Sequence, residues 1–140
     1  MREIQAKIKL INYEDMELYA EGSIKDTQIR VVEEEGIIDT NLRRLIIPSR
    51  LFEKLGLRKM EEIDLSYLYE VKANIVASAV VVEIKGRKAI TLPIVEETDK
   101  ILVGRFIIEE MDFYVDAVTG EIKPRHPEAK GPVEFIGGVK

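Results

Sequence analysis

The first pattern to emerge along the chain is strict alternation. In EIQAKIKLI the apolar residues Ile4, Ala6, Ile8 and Leu10 are separated by polar ones, so one face meets a core and the other meets water, which predicts a strand. The polar segment NYEDM then reads as a turn, and MELYAEGSI followed by TQIRVV reads as a hairpin closing around Lys25 and Asp26. Beyond the acidic run Glu33 to Glu35, Gly36 reads as a turn residue and Ile37 with Ile38 as a short buried strand. Leu45 to Ile47 is apolar again. Pro48 and Ser49 open, and Gly56 closes, a short amphipathic helix in SRLFEKLGL, with Leu51, Phe52 and Leu55 facing inward.

The runs EIDLSYLYEVKANI, VASAVVVEI and KAITLPIV follow as β-branched strands, with a tight turn at Lys85 and Gly86. ILVGRFIIEEM combines a strand, a glycine and a helical turn, and YVDAVTGEI is a last hairpin turning at Thr119 and Gly120. Residues 1–124 form one domain on this reading, and residues 125–140 form a tail containing proline and glycine that is irregular or partly mobile. Many short strands with two short helices predict a mainly β fold, a compact barrel or sandwich.

Composition narrows the possibilities. A chain of 140 residues suits a single core, and 46% hydrophobic residues suffice to fill it. With 26 acidic against 21 basic residues the net charge is -5, which argues against a nucleic-acid partner. The chain has no cysteine, so disulfides and thiolate metal sites are excluded and a reducing cytoplasm is the default compartment. No apolar run is long enough to span a bilayer, which predicts a soluble protein with no membrane partner. Neither phosphate-binding glycine loop occurs, and the single histidine, His126, lies in the tail and is assigned a surface role, so no cofactor, metal site or Ser-His-Asp triad is expected.

One residue stands apart. Asp39 directly follows Ile37 and Ile38, and a carboxylate there is costly to desolvate unless it is paired, hydrogen-bonded or partly protonated. It is either a turn aspartate capping its own backbone or a functional acid. Asp26, also followed by threonine, has polar flanks and reads as a turn residue. The glutamates 33 to 35 read as a solvated edge that discourages strand pairing.

The segment IIDTNLRRLIIPSRLFEKLGL resembles the part of the retropepsin-like aspartic proteases in which two apolar residues and Asp-Thr-Gly precede an apolar strand, a proline and a short helix. ILVGRFIIEEMDFYVDAVTGEI resembles the later part of that family, where two apolar residues and a glycine form the loop beneath the catalytic turn. The resemblance spans roughly residues 4 to 124 and implies a retropepsin-like acid protease barrel acting as a homodimer. Each chain would supply one catalytic aspartate, Asp39, with Thr40 beneath it. Asn41, Gly104 and Arg105 would support the loop. Leu42, Tyr67 and Tyr69 would face an extended polypeptide substrate, the tyrosines from a flap in IDLSYLYEVKANI. In this chain Asn41 stands where the family has glycine, as a residue that accepts a left-handed backbone. Leu42 replaces a small residue, Arg43 an acid that pairs with the arginine of the Gly-Arg turn, and the flap stretch has no glycine. The resemblance thus implies an aspartic endopeptidase or, alternatively, a catalytically silent dimer of the same fold that binds a peptide or protein.

Overall fold

The computed structural model describes residues 3–63 and 74–127. The first strand, β1 (Ile4–Asn12), buries Ala6, Ile8, Leu10 and Asn12 on one face, as the alternation predicts. The expected turn and hairpin are replaced by a helix. Residues Tyr13–Ala20 form α1, and a short 3-10 turn at Asp26–Gln28 leads to the next strand. The cause lies in the polar residues themselves. Asn12 caps the helix by accepting a hydrogen bond from the Asp15 amide at 3.0 Å, and Glu14 and Asp15 place negative charge in the first turn, where the helix dipole favours it.

Strand β2 (Val31–Ile38) is longer than the sequence suggests, because the three glutamates and Gly36 lie inside it. It pairs antiparallel with β1 from Ile4 opposite Ile38 to Ile11 opposite Val31. Gly36 is therefore a strand residue and makes no turn. A Cβ there would lie 2.8 Å from Ile8 Cγ1 and 2.9 Å from the Ile101 carbonyl oxygen, so the strand crosses its neighbours too closely for a side chain.

Strand β3 (Leu45–Pro48) is wholly buried and runs into α2 (Ser49–Lys54). That helix stops where Gly56 adopts φ +64°, the left-handed conformation that ends helices. The strands β4 (Lys59–Ile63), β5 (Asn74–Ala77), β6 (Val80–Ile84), β7 (Arg87–Thr91), β8 (Ile94–Glu96) and β9 (Ile101–Val103) follow. VASAVVVEI is thus divided between β5 and β6 at Ser78, whose amide donates to the Arg58 carbonyl at 2.8 Å. The turn at Lys85 and Gly86 is as expected, with φ of 51° and 81° that match the twist of a two-residue hairpin. After β9 come α3 (Arg105–Glu110) and the hairpin of β10 (Phe113–Asp116) and β11 (Glu121–Pro124).

Nine strands form one curled, half-barrel sheet in the order β4-β5-β8-β3-β9-β2-β1-β6-β7. The fold is mainly β as predicted, with three α-helices among the described residues rather than two. Ile8, Leu10, Leu45, Ile47, Leu51, Leu55, Val80, Ile84, Ile101 and Phe113 are almost wholly buried in a single core. At the centre of the sheet, β9 runs parallel to β2 and antiparallel to β3. The C-terminal ends of β2 and β9 therefore arrive side by side at one edge of the core, carrying Asp39 and Gly104 with them.

Candidate active site

Asp39 follows the last residue of β2, and its amide donates to the Val103 carbonyl at 2.9 Å, extending the parallel ladder by one rung. The chain then turns sharply. The Asp39 carboxylate accepts from the Asn41 amide at 3.0 Å and the Asp39 carbonyl accepts from the Leu42 amide at 3.0 Å, an Asx-type turn. Three consecutive carbonyls at the end of the loop are bound from behind. Leu42, Arg43 and Arg44 accept from the amides of Arg105 at 2.9 Å, Phe106 at 3.0 Å and Gly104 at 3.0 Å. The loop 39–44 is thus laced along its length to the start of α3.

Gly104 permits this approach. A Cβ on it would lie 2.5 Å from the Arg43 carbonyl carbon, 2.5 Å from the Arg44 carbonyl oxygen and 2.6 Å from the Arg44 nitrogen, all backbone atoms that cannot rotate away. The loop it braces is the one beginning at Asp39. Arg105 lies beside the same loop, with one guanidinium nitrogen 3.5 Å from the Thr40 carbonyl and the group stacked 5.6 Å from the Phe106 ring centre. Asn41 does not use the left-handed backbone anticipated for it. Among the described residues only Lys85 and Asp112 do so without being glycine, which removes one steric objection to a side chain at position 41.

Asp39 is half-buried, and Thr40 and Asn41 are exposed. Among the described residues the carboxylate bonds only to its own turn. No arginine or lysine among the described residues forms an ion pair with it, and the Thr40 hydroxyl has no partner among them. A concavity of about 410 Å³ opens next to the acid, lined by Glu3, Ile4, Ile37, Asp39, Thr40 and Leu102 among others. Ile37 and Leu102 are direct partners in the β2–β9 register, so they share a face of the sheet. Sequence reasoning missed this wall, whose only signal is the parallel pairing of segments distant in the chain.

Of the other predicted site residues, Leu42 is half-buried within the loop and Arg43 is exposed. Tyr67 and Tyr69, with the rest of the flap stretch 64–73, lie outside the described residues. His126 is exposed, and its ring nitrogen Nδ1 lies 2.9 Å from the Asp112 carboxylate, a contact the sequence did not disclose. No group of three or more His, Cys, Asp or Glu side chains among the described residues could hold a metal ion. No helix among them is long and apolar enough to cross a membrane.

No family model matches the sequence, and no curated protein matches it. Solved structures do. The chain is similar to the retroviral protease-like domain of Ddi1 from Leishmania major, with a TM-score of 0.54, 11% identity and 94% of each chain covered. It is also similar to a retropepsin-like aspartic protease from Rickettsia conorii, with a TM-score of 0.43, 18% identity, and 83% of this chain and 89% of that one covered. The EIAV protease complexed with the inhibitor HBY-793 matches with a TM-score of 0.42, 16% identity, and 55% of this chain and 75% of that one covered. The likeness that spans nearly the whole of both chains identifies the single-lobe fold of the retropepsin-like proteins.

Proposed function

We propose that this protein is a retropepsin-like aspartic endopeptidase that works in the cytoplasm as a homodimer, one Asp39 coming from each chain. The observation that carries the reading is the state of Asp39. In a chain rich in arginine and lysine, this acid stands at the junction of the two parallel strands on a braced loop, unpaired by any cation among the described residues. A structural carboxylate in such a setting is ordinarily neutralised by a partner. An acid that has no cationic partner among the described residues and stands on a rigid support suits chemistry instead.

The reaction follows from two such acids meeting about a two-fold axis. Two carboxyls held close together cannot both remain ionised, so they share one proton and behave as a single titrating unit. The ionised member removes a proton from a bound water, and the oxygen of that water attacks the peptide carbonyl carbon. The protonated member donates to the carbonyl oxygen. Collapse of the tetrahedral adduct then breaks the C–N bond once the nitrogen has taken up a proton. The Thr40 hydroxyl, without a partner among the described residues, is available to bond across the axis, and the lacing to Gly104, Arg105 and Phe106 holds the acid to the small tolerance such geometry requires.

A second reading is favoured by one specific contact. The Asp39 carboxylate already accepts from the Asn41 amide, the bond expected of a turn aspartate in a dimer that binds peptides without cleaving them. One experiment separates the two. Purified protein is incubated with an unfolded polypeptide at mildly acidic pH, alongside Asp39→Asn and a pepstatin-type transition-state mimic, while light scattering reports the oligomeric state. The endopeptidase reading expects a dimer whose cleavage is abolished by both perturbations. Cleavage that survives Asp39→Asn, or a strict monomer at every concentration, refutes it.

A further inference from the structure

Four of the described arginines are committed to carboxylates, Arg30 to Asp15, Arg50 to Glu34, Arg58 to Glu14 and Arg87 to Asp112, and Arg125 lies over the Tyr114 ring. At the loop, three are not. Arg43 is exposed and touches no acid among the described residues. Among the described residues Arg44 gives its guanidinium only to the Leu92 carbonyl, at 2.7 Å. Arg105 reaches the Thr40 carbonyl and the Phe106 ring, both uncharged.

The three are held together by the backbone lattice already described, since Arg43 and Arg44 lie on the strip that bonds to residues 104–106. Three cations thus gather beside the candidate catalytic acid, in a chain whose net charge is -5, with no carboxylate among the described residues to neutralise them. Arginine keeps its charge at any working pH and presents a planar fork matched to carboxylates.

We infer that Arg43, Arg44 and Arg105 form a carboxylate-reading flank of the cleft, so that the protein takes acidic polypeptide segments with Asp or Glu near the bond presented to Asp39. The inference deepens the cleft reading of the preceding subsection and rests on it. Carboxylates are favoured over nucleic-acid phosphates because the neighbouring concavity carries Glu3 and Asp39, which repel a continuous polyanion but leave room for isolated acidic side chains. The half-buried Ile4, Ile37 and Leu102 beside it suit apolar residues interspersed among the acids.

The test separates binding from cleavage. Asp39→Asn protein is titrated with an unstructured peptide rich in Glu and Asp and with its Gln and Asn counterpart, at low and high salt, by fluorescence anisotropy. The acidic peptide binds about tenfold tighter at low salt, and the preference fades as salt screens it. Adding Arg43→Glu lowers acidic-peptide affinity about tenfold, whereas Arg43→Lys retains most of it. Arg43 is exposed and its side chain makes no hydrogen bond or ion pair among the described residues, so the charge reversal leaves the fold intact, and Arg105→Gln provides a second reading of the same flank. Equal affinity for both peptides, indifference to Arg43→Glu, or displacement by an oligonucleotide at lower concentration than by the acidic peptide each overturns the inference. Cleavage sites mapped on a denatured protein with no enrichment of nearby acids overturn it too, while leaving the endopeptidase reading standing. Acidic binding without cleavage does the reverse.

Discussion

Replacing Gly104 by alanine sets two physical effects against each other. Gly104 has φ -82° and ψ 175°, an extended conformation that alanine adopts without strain. Backbone entropy alone therefore predicts that Gly104→Ala stabilises the protein by about 0.4–1 kcal/mol, through a less flexible unfolded chain. Packing predicts the opposite. The new methyl would sit 2.5 Å from two backbone atoms of residues 43 and 44, and reaching ordinary contact at 3.4 Å requires the loop to retreat by roughly 1 Å. Overpacking of this kind costs about 1–3 kcal/mol. Three backbone hydrogen bonds cross the same contact and lengthen together, adding about 1 kcal/mol or more if their worth is partly lost. Sterics thus outweigh entropy, and the net loss is about 2–3 kcal/mol. Urea unfolding followed by circular dichroism should show a midpoint lowered by about 1 M, for a slope of about 2 kcal/mol per molar. Gly86→Ala is the control, because Gly86 has open space within 4 Å but φ +81°, so its cost is conformational alone, about 1 kcal/mol. A Gly104→Ala protein as stable as the parent would show that the loop bearing Asp39 is not braced as described. Where the protein cleaves peptides, the displaced acid should also cost about a hundredfold in kcat.

Asn12→Ala removes both the α1 cap and the buried bond from Asn12 Nδ2 to the Leu55 carbonyl at 2.8 Å, and should cost about 2–3 kcal/mol in the same melts. A loss below about 0.5 kcal/mol would mean that neither bond matters. Asp15→Asn should destabilise by about 1–2 kcal/mol at neutral pH, because the buried carboxylate accepts three hydrogen bonds from Arg30 while the arginine itself stays half in water. Hydrogen bonding from Arg30 holds the Asp15 carboxyl below its ordinary range. The contribution is therefore complete above the unfolded value near pH 4 and vanishes as the pH falls through the lower folded value. The difference between parent and variant should be level from pH 7 to about 5 and shrink toward pH 3; a difference that widens on acidification would contradict the ion pair.

What the sequence disclosed, and what it hid, divides along a physical line. β1, the β6–β7 hairpin and α2 were legible because each is specified locally, by alternation, by a two-residue turn and by proline and glycine at the ends. The loop at Asp39 was visible as an acid placed against an apolar pair. α1 was not, because it has no apolar stripe to betray it. Its buried residue is Asp15, while Leu18 and Tyr19 are exposed. The spacing of Asn12 and Asp15 was the one available signal. Gly36 was taken for a turn because its reason for being glycine is Ile101, far along the chain and adjacent only once β9 has been laid beside β2. The commitment of each arginine was equally hidden, since Arg30, Arg50 and Arg58 find acids 15, 16 and 44 positions away.

That distribution of charge gives the fold and the site different sensitivities to salt. The pair Arg50–Glu34 joins α2 to β2 and the pair Arg58–Glu14 joins the loop before β4 to α1, with more than half of each arginine side chain in water. The Arg50–Glu34 pair contributes about 0–1 kcal/mol, the more exposed Arg58–Glu14 pair is screened by solvent, and the apolar core does most of the work of stabilisation. Raising the ionic strength from about 0.1 M to 1 M shortens the screening distance from about 10 Å to 3 Å and should therefore shift the unfolding midpoint only slightly. The arginines beside Asp39 have no carboxylate partner among the described residues, and their contacts there are to the carbonyls of Leu92 and Thr40 and to the Phe106 ring, so they add no ion pair for salt to remove. On the inference drawn above they attract an incoming anion, the interaction that screening weakens most. A site whose ligand affinity collapses in salt while its scaffold stands is therefore what this partition of arginines requires. A parallel collapse of both would mean that the charges at the loop hold the structure together after all.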